Sequence, residues 1–278
     1  MLGKLLKYDM KRQMKLLFAA YLVVGLVAGF SAIFRLVFRN FEDTTGVVGI
    51  VRTLVTGLAI VAVAVMVVGT FIYAVLYFRK NLFKDEGYLM HTLPVKSWQL
   101  YMSKVISSTL CSFLSILVAV AAICLAFLHI PDVADIMSGA MAVGIPKWFF
   151  IVTIIVFCIA IPANLVQFYV SLVFGYTIQT NTKTPVNRDL MSVISYIVIY
   201  MVQQVAMIGV MLVWVAMNIG KITDSKLMNA AMAGTQAPEE LLQMMWGLYA
   251  ISIVLMVLLS VVLSVLSVLR MEKRLNLS

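Results

Sequence analysis

The run LVTGLAIVAVAVMVVGTFIYAVLYF occupies residues 54–78 and holds no charged side chain. A helix needs roughly 20 residues to cross about 30 Å of hydrocarbon, and this run exceeds that. Lipid offers backbone N–H and C=O groups no water, so a run of this length must satisfy its own hydrogen bonds as a helix. Five further apolar runs follow the same logic, at residues 16–38, 102–128, 148–178, 190–217 and 244–269. With 63% hydrophobic and 12% charged residues, the chain lies far from soluble globular composition. The spans and their connections use nearly all 278 residues, which leaves no room for a soluble catalytic domain or a folded ectodomain. The expected fold is all-α, a single polytopic domain over residues 1–278 with six transmembrane helices.

Basic residues gather on alternate connections. Lys4, Lys7, Lys11, Arg12, Lys15, Arg79, Lys80, Lys84, Lys96, Lys104, Lys183, Arg188, Arg270, Lys273 and Arg274 fall on one side, fifteen of the 21 Lys and Arg. Arg35, Arg39, Arg52, Lys147, Lys221 and Lys226 fall on the other. The positive-inside rule then places both termini and the 79–104 and 179–189 connections in the cytoplasm. The net charge of +9 is split among these flanks and forms no single patch, so no nucleic-acid partner is expected.

Ahead of the first span, Leu2, Leu5, Leu6, Met10, Met14 and Leu17 recur at helical spacing, with Lys4, Lys7, Lys11 and Lys15 in a second row. This pattern predicts an amphipathic helix, residues 1–15, lying at the membrane interface with its lysines toward anionic lipid. The run after it is too long for a signal-peptide core, and no small-x-small site follows, so a retained first span is expected. At the far end, Pro238-Glu239-Glu240 suits a first helical turn, so the last helix is expected to start ahead of its apolar run.

Chemistry-bearing motifs fail on spacing. Gly139 and Gly144 are followed by Ile145-Pro146 where a phosphate loop needs Lys and Ser or Thr. Glu239-Glu240 has Met244 where a glutamate-pair intramembrane protease needs Arg. His91 and His129 fall on opposite sides of the membrane. Cys111, Cys124 and Cys158 sit within spans without metal-ligand spacing and read as buried free thiols. The chain therefore reads as neither an enzyme nor a metal protein, with no catalytic residues and no cofactor of its own.

Polar residues within spans carry the remaining information. Pro162 should kink the fourth span, with Asn164 and Gln167 on about one face. Tyr196, Tyr200, Gln203 and Gln204 form one stripe of the fifth span, at i, i+4, i+7 and i+8. Such a stripe either bonds neighbouring helices together or lines a substrate path.

The 79–104 connection differs from the others. It is long, and mixes charge with Leu82, Phe83, Tyr88, Leu89, Met90 and Leu93; Gly87 and Pro94 divide it into two short helices, and Ser97 is placed to cap the helix that continues into the third span. Its apolar side chains require burial in the interface or in a partner.

Phe83-Lys84-Asp85-Glu86-Gly87-Tyr88-Leu89, followed by Thr92-Leu93-Pro94-Val95 and Lys104, resembles the first cytoplasmic loop of ABC-2 type permeases, especially those of Gram-positive bacteria. The basic N-terminal helix and the six spans are similar to that family too, in its type V exporter architecture. The resemblance implies the membrane subunit of an ATP-driven exporter in a bacterial plasma membrane. It would carry an amphipathic peptide antibiotic, drug or lipid by alternating access, paired with a second permease copy or paralogue. ATP and Mg would be bound by separate ABC ATPase subunits. On this resemblance Asp85, Glu86, Gly87, Tyr88, Leu89, Leu93 and Pro94 form the segment that docks on the ATPase. A membrane scaffold or sensor without transport is the alternative.

Overall fold

A computed structural model describes residues 2–38, 46–83, 95–127, 147–177, 187–222 and 239–274. Six helices account for nearly all of them: α1 Leu2–Val37, α2 Val47–Phe83, α3 Ser97–Phe127, α4 Lys147–Thr177, α5 Arg188–Ile222 and α6 Glu239–Arg274. No strand occurs among the described residues. All six are long and apolar enough to cross a membrane. The shortest have 31 residues. At 1.5 Å per residue that is about 46 Å, so every helix extends past about 30 Å of hydrocarbon and carries polar turns at its ends.

The helix ends follow local chemistry. Asn187 caps α5: its Oδ1 accepts the Asp189 N–H at 3.1 Å and its carbonyl accepts the Met191 N–H at 3.1 Å. At α3 the expected cap shifts by one residue. The Lys96 carbonyl accepts from the Gln99 and Leu100 N–H groups at 2.9 and 3.3 Å, which makes Ser97 the first helical residue. Helix α6 begins at Glu239, ahead of its apolar run, as the Pro-Glu-Glu sequence predicts. Helix α4 passes through Pro162 without ending. The segment expected to lie at the interface is continuous with the first span in α1; its lysine row is exposed, while Leu2, Leu5, Leu6, Met10 and Met14 are half-buried.

The chain forms two compact units, Met1–Ala134 and Asp135–Ser278. In the first, α1 packs chiefly on α3, and α2 contacts both. Its dry core is Val24 and Ala28 from α1, Ala59, Val63 and Met66 from α2, and Ala119, Ala122 and Ala126 from α3. Lipid tails are as apolar as these side chains, so burial alone does not hold the helices together; small residues that allow close approach do. In the second unit α4 contacts both α5 and α6, which touch each other least. Gly175 of α4 sits so close to Ser192 of α5 that a Cβ would overlap the serine backbone and hydroxyl. At the other end of α4, Trp148 meets Trp246 of α6 edge-on, centroids 5.4 Å apart. Paired indoles near the starts of the apolar runs at 148–178 and 244–269 suit a membrane–water boundary.

Outward faces are rich in large apolar side chains, among them Leu26, Leu54, Val205 and Met217. Water would penalise such a surface heavily, whereas acyl chains solvate it. Cys111 is buried, but Cys124 and Cys158 are exposed, so two of the three thiols lie outside the packing expected for them.

Candidate functional site

Asp9 is the sole acidic residue in the first 41 positions. About two turns into α1, it is turned inward, at 1% exposure. Lys104 of α3, also 1% exposed, pairs with its Oδ1. The same oxygen accepts the Tyr77 hydroxyl of α2 at 2.9 Å, and Oδ2 accepts the Ser103 hydroxyl at 3.1 Å. The ammonium also lies 4.9 Å from the Tyr77 ring centroid, and the Arg12 guanidinium lies 5.7 Å from it. Arg12 donates to Asn81 Oδ1 at 3.4 Å. A carboxylate removed from water is costly unless each oxygen is matched; here a cation and two hydroxyls do so.

The polar seam continues along the bundle. Gln13 donates to Ser107 at 3.1 Å and to Ser108 at 3.4 Å. Past Leu17 and Cys111, Tyr21 and Ser115 share a hydrogen bond of 2.7 Å, and Thr70 meets the same serine at 2.9 Å. Asp9, Gln13, Leu17 and Tyr21 are spaced at i, i+4, i+8 and i+12, one stripe of α1. Beyond Tyr21 the seam gives way to the alanine-rich core. It therefore ties one end of α1, α2 and α3 together, and that end flanks the connection between Phe83 and Ser97.

One end of the second unit is tied differently. Tyr176 of α4 donates to Asp189 of α5. The Arg270 guanidinium of α6 lies 4.3 Å over the Phe174 ring of α4.

The residues singled out in the sequence fare unequally. Asp85, Glu86, Gly87, Tyr88, Leu89, Leu93 and Pro94 lie outside the described residues. The residues of the α5 stripe meet different surroundings. Tyr196 stacks on Phe168 of α4, centroids 4.5 Å apart and planes at 11°, so it contributes to packing. Tyr200 stacks in turn on Tyr196 at 6.3 Å yet keeps 43% of its surface exposed. Gln203 is half-buried, while Gln204 is exposed and lines a groove between α5 and α6. In α4 the expected shared face is split: Asn164 is exposed and bonds the Ala160 carbonyl at 2.8 Å, whereas Gln167 is buried. Among the described residues no group of His, Cys, Asp and Glu could hold a metal ion.

Sequence reading missed the Asp9 cluster. Two signals could have pointed to it: a lone acid in an otherwise basic flank, and the row Ser103, Ser107, Ser108, Ser112, Ser115 along the third span. Compared with known proteins, the chain matches no family model, no curated protein and no solved structure.

Proposed function

We propose that the chain is the membrane subunit of an ATP-driven exporter of the ABC-2 permease type, in a bacterial plasma membrane with both termini cytoplasmic. The observation that supports this reading best is the Asp9–Lys104–Tyr77–Ser103 cluster. It joins the last turns of α2 to the first turns of α3, the two helices that flank the Glu86–Pro94 connection, and binds both to α1. A separate ATPase pressing on that connection would then move three helices together instead of bending one. Alternating access needs such rigid transmission from the site of hydrolysis to the spans, because packed helices shift as bodies. On this reading ATP is bound by a separate subunit, in keeping with the lack of a phosphate-cradling loop in the connections between the spans.

The deciding experiment reconstitutes the full chain in proteoliposomes with and without an ATPase subunit encoded beside it. Hydrolysis that requires both, and ATP-dependent export of an amphipathic reporter dye, is the expected result. Hydrolysis by the pure chain alone, or a pair that assembles and hydrolyses but moves nothing across the bilayer, overturns the reading; the second outcome favours a scaffold or sensor.

A further inference from the structure

Between α5 and α6 runs a groove of about 230 Å³. Gln204, Met207, Met211 and Trp214 line it from α5, and Leu248 and Ser252 from α6. It exists because α5 and α6 both pack on α4 but touch each other least. Gly247 of α6 sets how closely Trp214 approaches: a Cβ there would meet the indole nitrogen at 3.3 Å, so the missing side chain lets the indole lie against α6. Met207 and Met211 give the wall adaptable, polarisable side chains suited to varied apolar shapes.

One group does not fit an empty apolar wall. Gln204 lies sixteen residues from each end of the Arg188–Gly220 span, which sets it at mid-membrane depth. It is exposed, and among the described residues no hydrogen bond reaches its amide. An amide left unbonded in hydrocarbon is strongly disfavoured. The Ser252 hydroxyl, by contrast, is satisfied by the Leu248 carbonyl at 2.8 Å.

From this we infer that the α5–α6 groove is a binding site for a neutral, membrane-dissolved molecule with an apolar body and an uncharged hydrogen-bonding group, such as an amide, which pairs with Gln204. Among the described residues no charged side chain lines the groove, so the part of the occupant held there is uncharged. An ordinary phospholipid fits poorly. Its ester carbonyls stay at the headgroup boundary, about 15 Å from the bilayer centre, and only its methylenes would reach Gln204. Trp214 lies ten residues along α5 from Gln204, about 15 Å toward the outer boundary, so the groove leads from mid-depth to that boundary. Binding itself does not depend on the exporter reading; calling the occupant cargo does.

Trp214 supplies the readout. The full chain carrying Trp98→Phe, Trp148→Phe and Trp246→Phe retains it as the single indole. Dibrominated stearamide is titrated into nanodiscs of this protein, with dibrominated phosphatidylcholine as the comparison. Saturable quenching by the stearamide is expected, weakened about tenfold by Gln204→Leu, which keeps shape but removes the hydrogen bond. Met211→Phe, with the protein's thermal melt unchanged, should abolish saturation by filling the groove. Quenching that rises linearly, that the phosphatidylcholine reproduces, or that ignores Gln204→Leu overturns the inference. So does a Trp214 that neither probe reaches because a second copy covers the groove. None of these outcomes touches ATP-dependent transport, so the site and the exporter reading can fail separately.

Discussion

Lys104 and Asp9 stand 95 residues apart in the chain and form an ion pair in which both side chains are 1% exposed. Removing one partner strands the other charge in a medium that cannot solvate it. Asp9→Ala or Lys104→Ala should therefore each lower stability by about 3–5 kcal/mol. The double change Asp9→Ala with Lys104→Ala leaves no orphaned charge and should cost clearly less than the two single losses added. Thermal unfolding of the four proteins in one detergent measures this as a double-mutant cycle. Additive losses would mean that the two residues do not interact.

Gly175 and Gly25 offer a matched contrast. A methyl at Gly175 collides with Ser192, so Gly175→Ala should destabilise the α4–α5 contact by about 1–3 kcal/mol. Nothing lies within 4 Å of a Cβ at Gly25, and Ala is the better helix former by up to about 1 kcal/mol, so Gly25→Ala should be neutral or stabilising. Equal melting shifts for the two variants would contradict the close α4–α5 approach.

Tyr196 and Tyr200 should separate packing from surface function. Tyr196→Ala removes a ring stacked on Phe168 and should cost about 0.5–1.5 kcal/mol beyond its buried area. Tyr200→Ala, at a position 43% exposed, should cost less stability than Tyr196→Ala and, on the proposed exporter reading, should alter which amphipathic compounds stimulate ATP hydrolysis. A larger stability loss at Tyr200 than at Tyr196 would reverse this assignment.

Membrane sidedness is open to labelling. Single cysteines at Lys84 and Asp224, in a chain with Cys111, Cys124 and Cys158 replaced, should react differently with an impermeant maleimide in intact cells. Position 224 should label from outside, and position 84 only after permeabilisation. External labelling at 84 would remove the topology on which the exporter reading depends.

The Glu86–Pro94 connection is proposed to contact the ATPase, so Glu86→Ala and Leu89→Ala should lower transport per ATP hydrolysed at least several-fold while membrane insertion stays normal. Wild-type coupling in both variants would exclude that role.

The residues of the 54–78 run, and of the five like it, determine their own helices. In lipid each stretch of backbone must bond to itself, a local requirement that no distant contact alters. Span number, helical class and approximate ends were therefore legible, as were caps and starts that depend on neighbours in sequence, such as the Pro-Glu-Glu ahead of α6. Which side of each helix faces inward was not. Inside and outside of a membrane bundle are both apolar, so composition fails to mark the buried face as it does in water. Only the packing decided that Cys111 is buried while Cys124 and Cys158 face outward, and that Tyr196 stacks on Phe168 while Gln204 opens onto a groove. Packing also turned Asp9 from a residue in a basic flank into the centre of a three-helix cluster. A buried carboxylate is tolerated only where a cation and hydroxyls from other helices converge on it, and that convergence belongs to the tertiary structure.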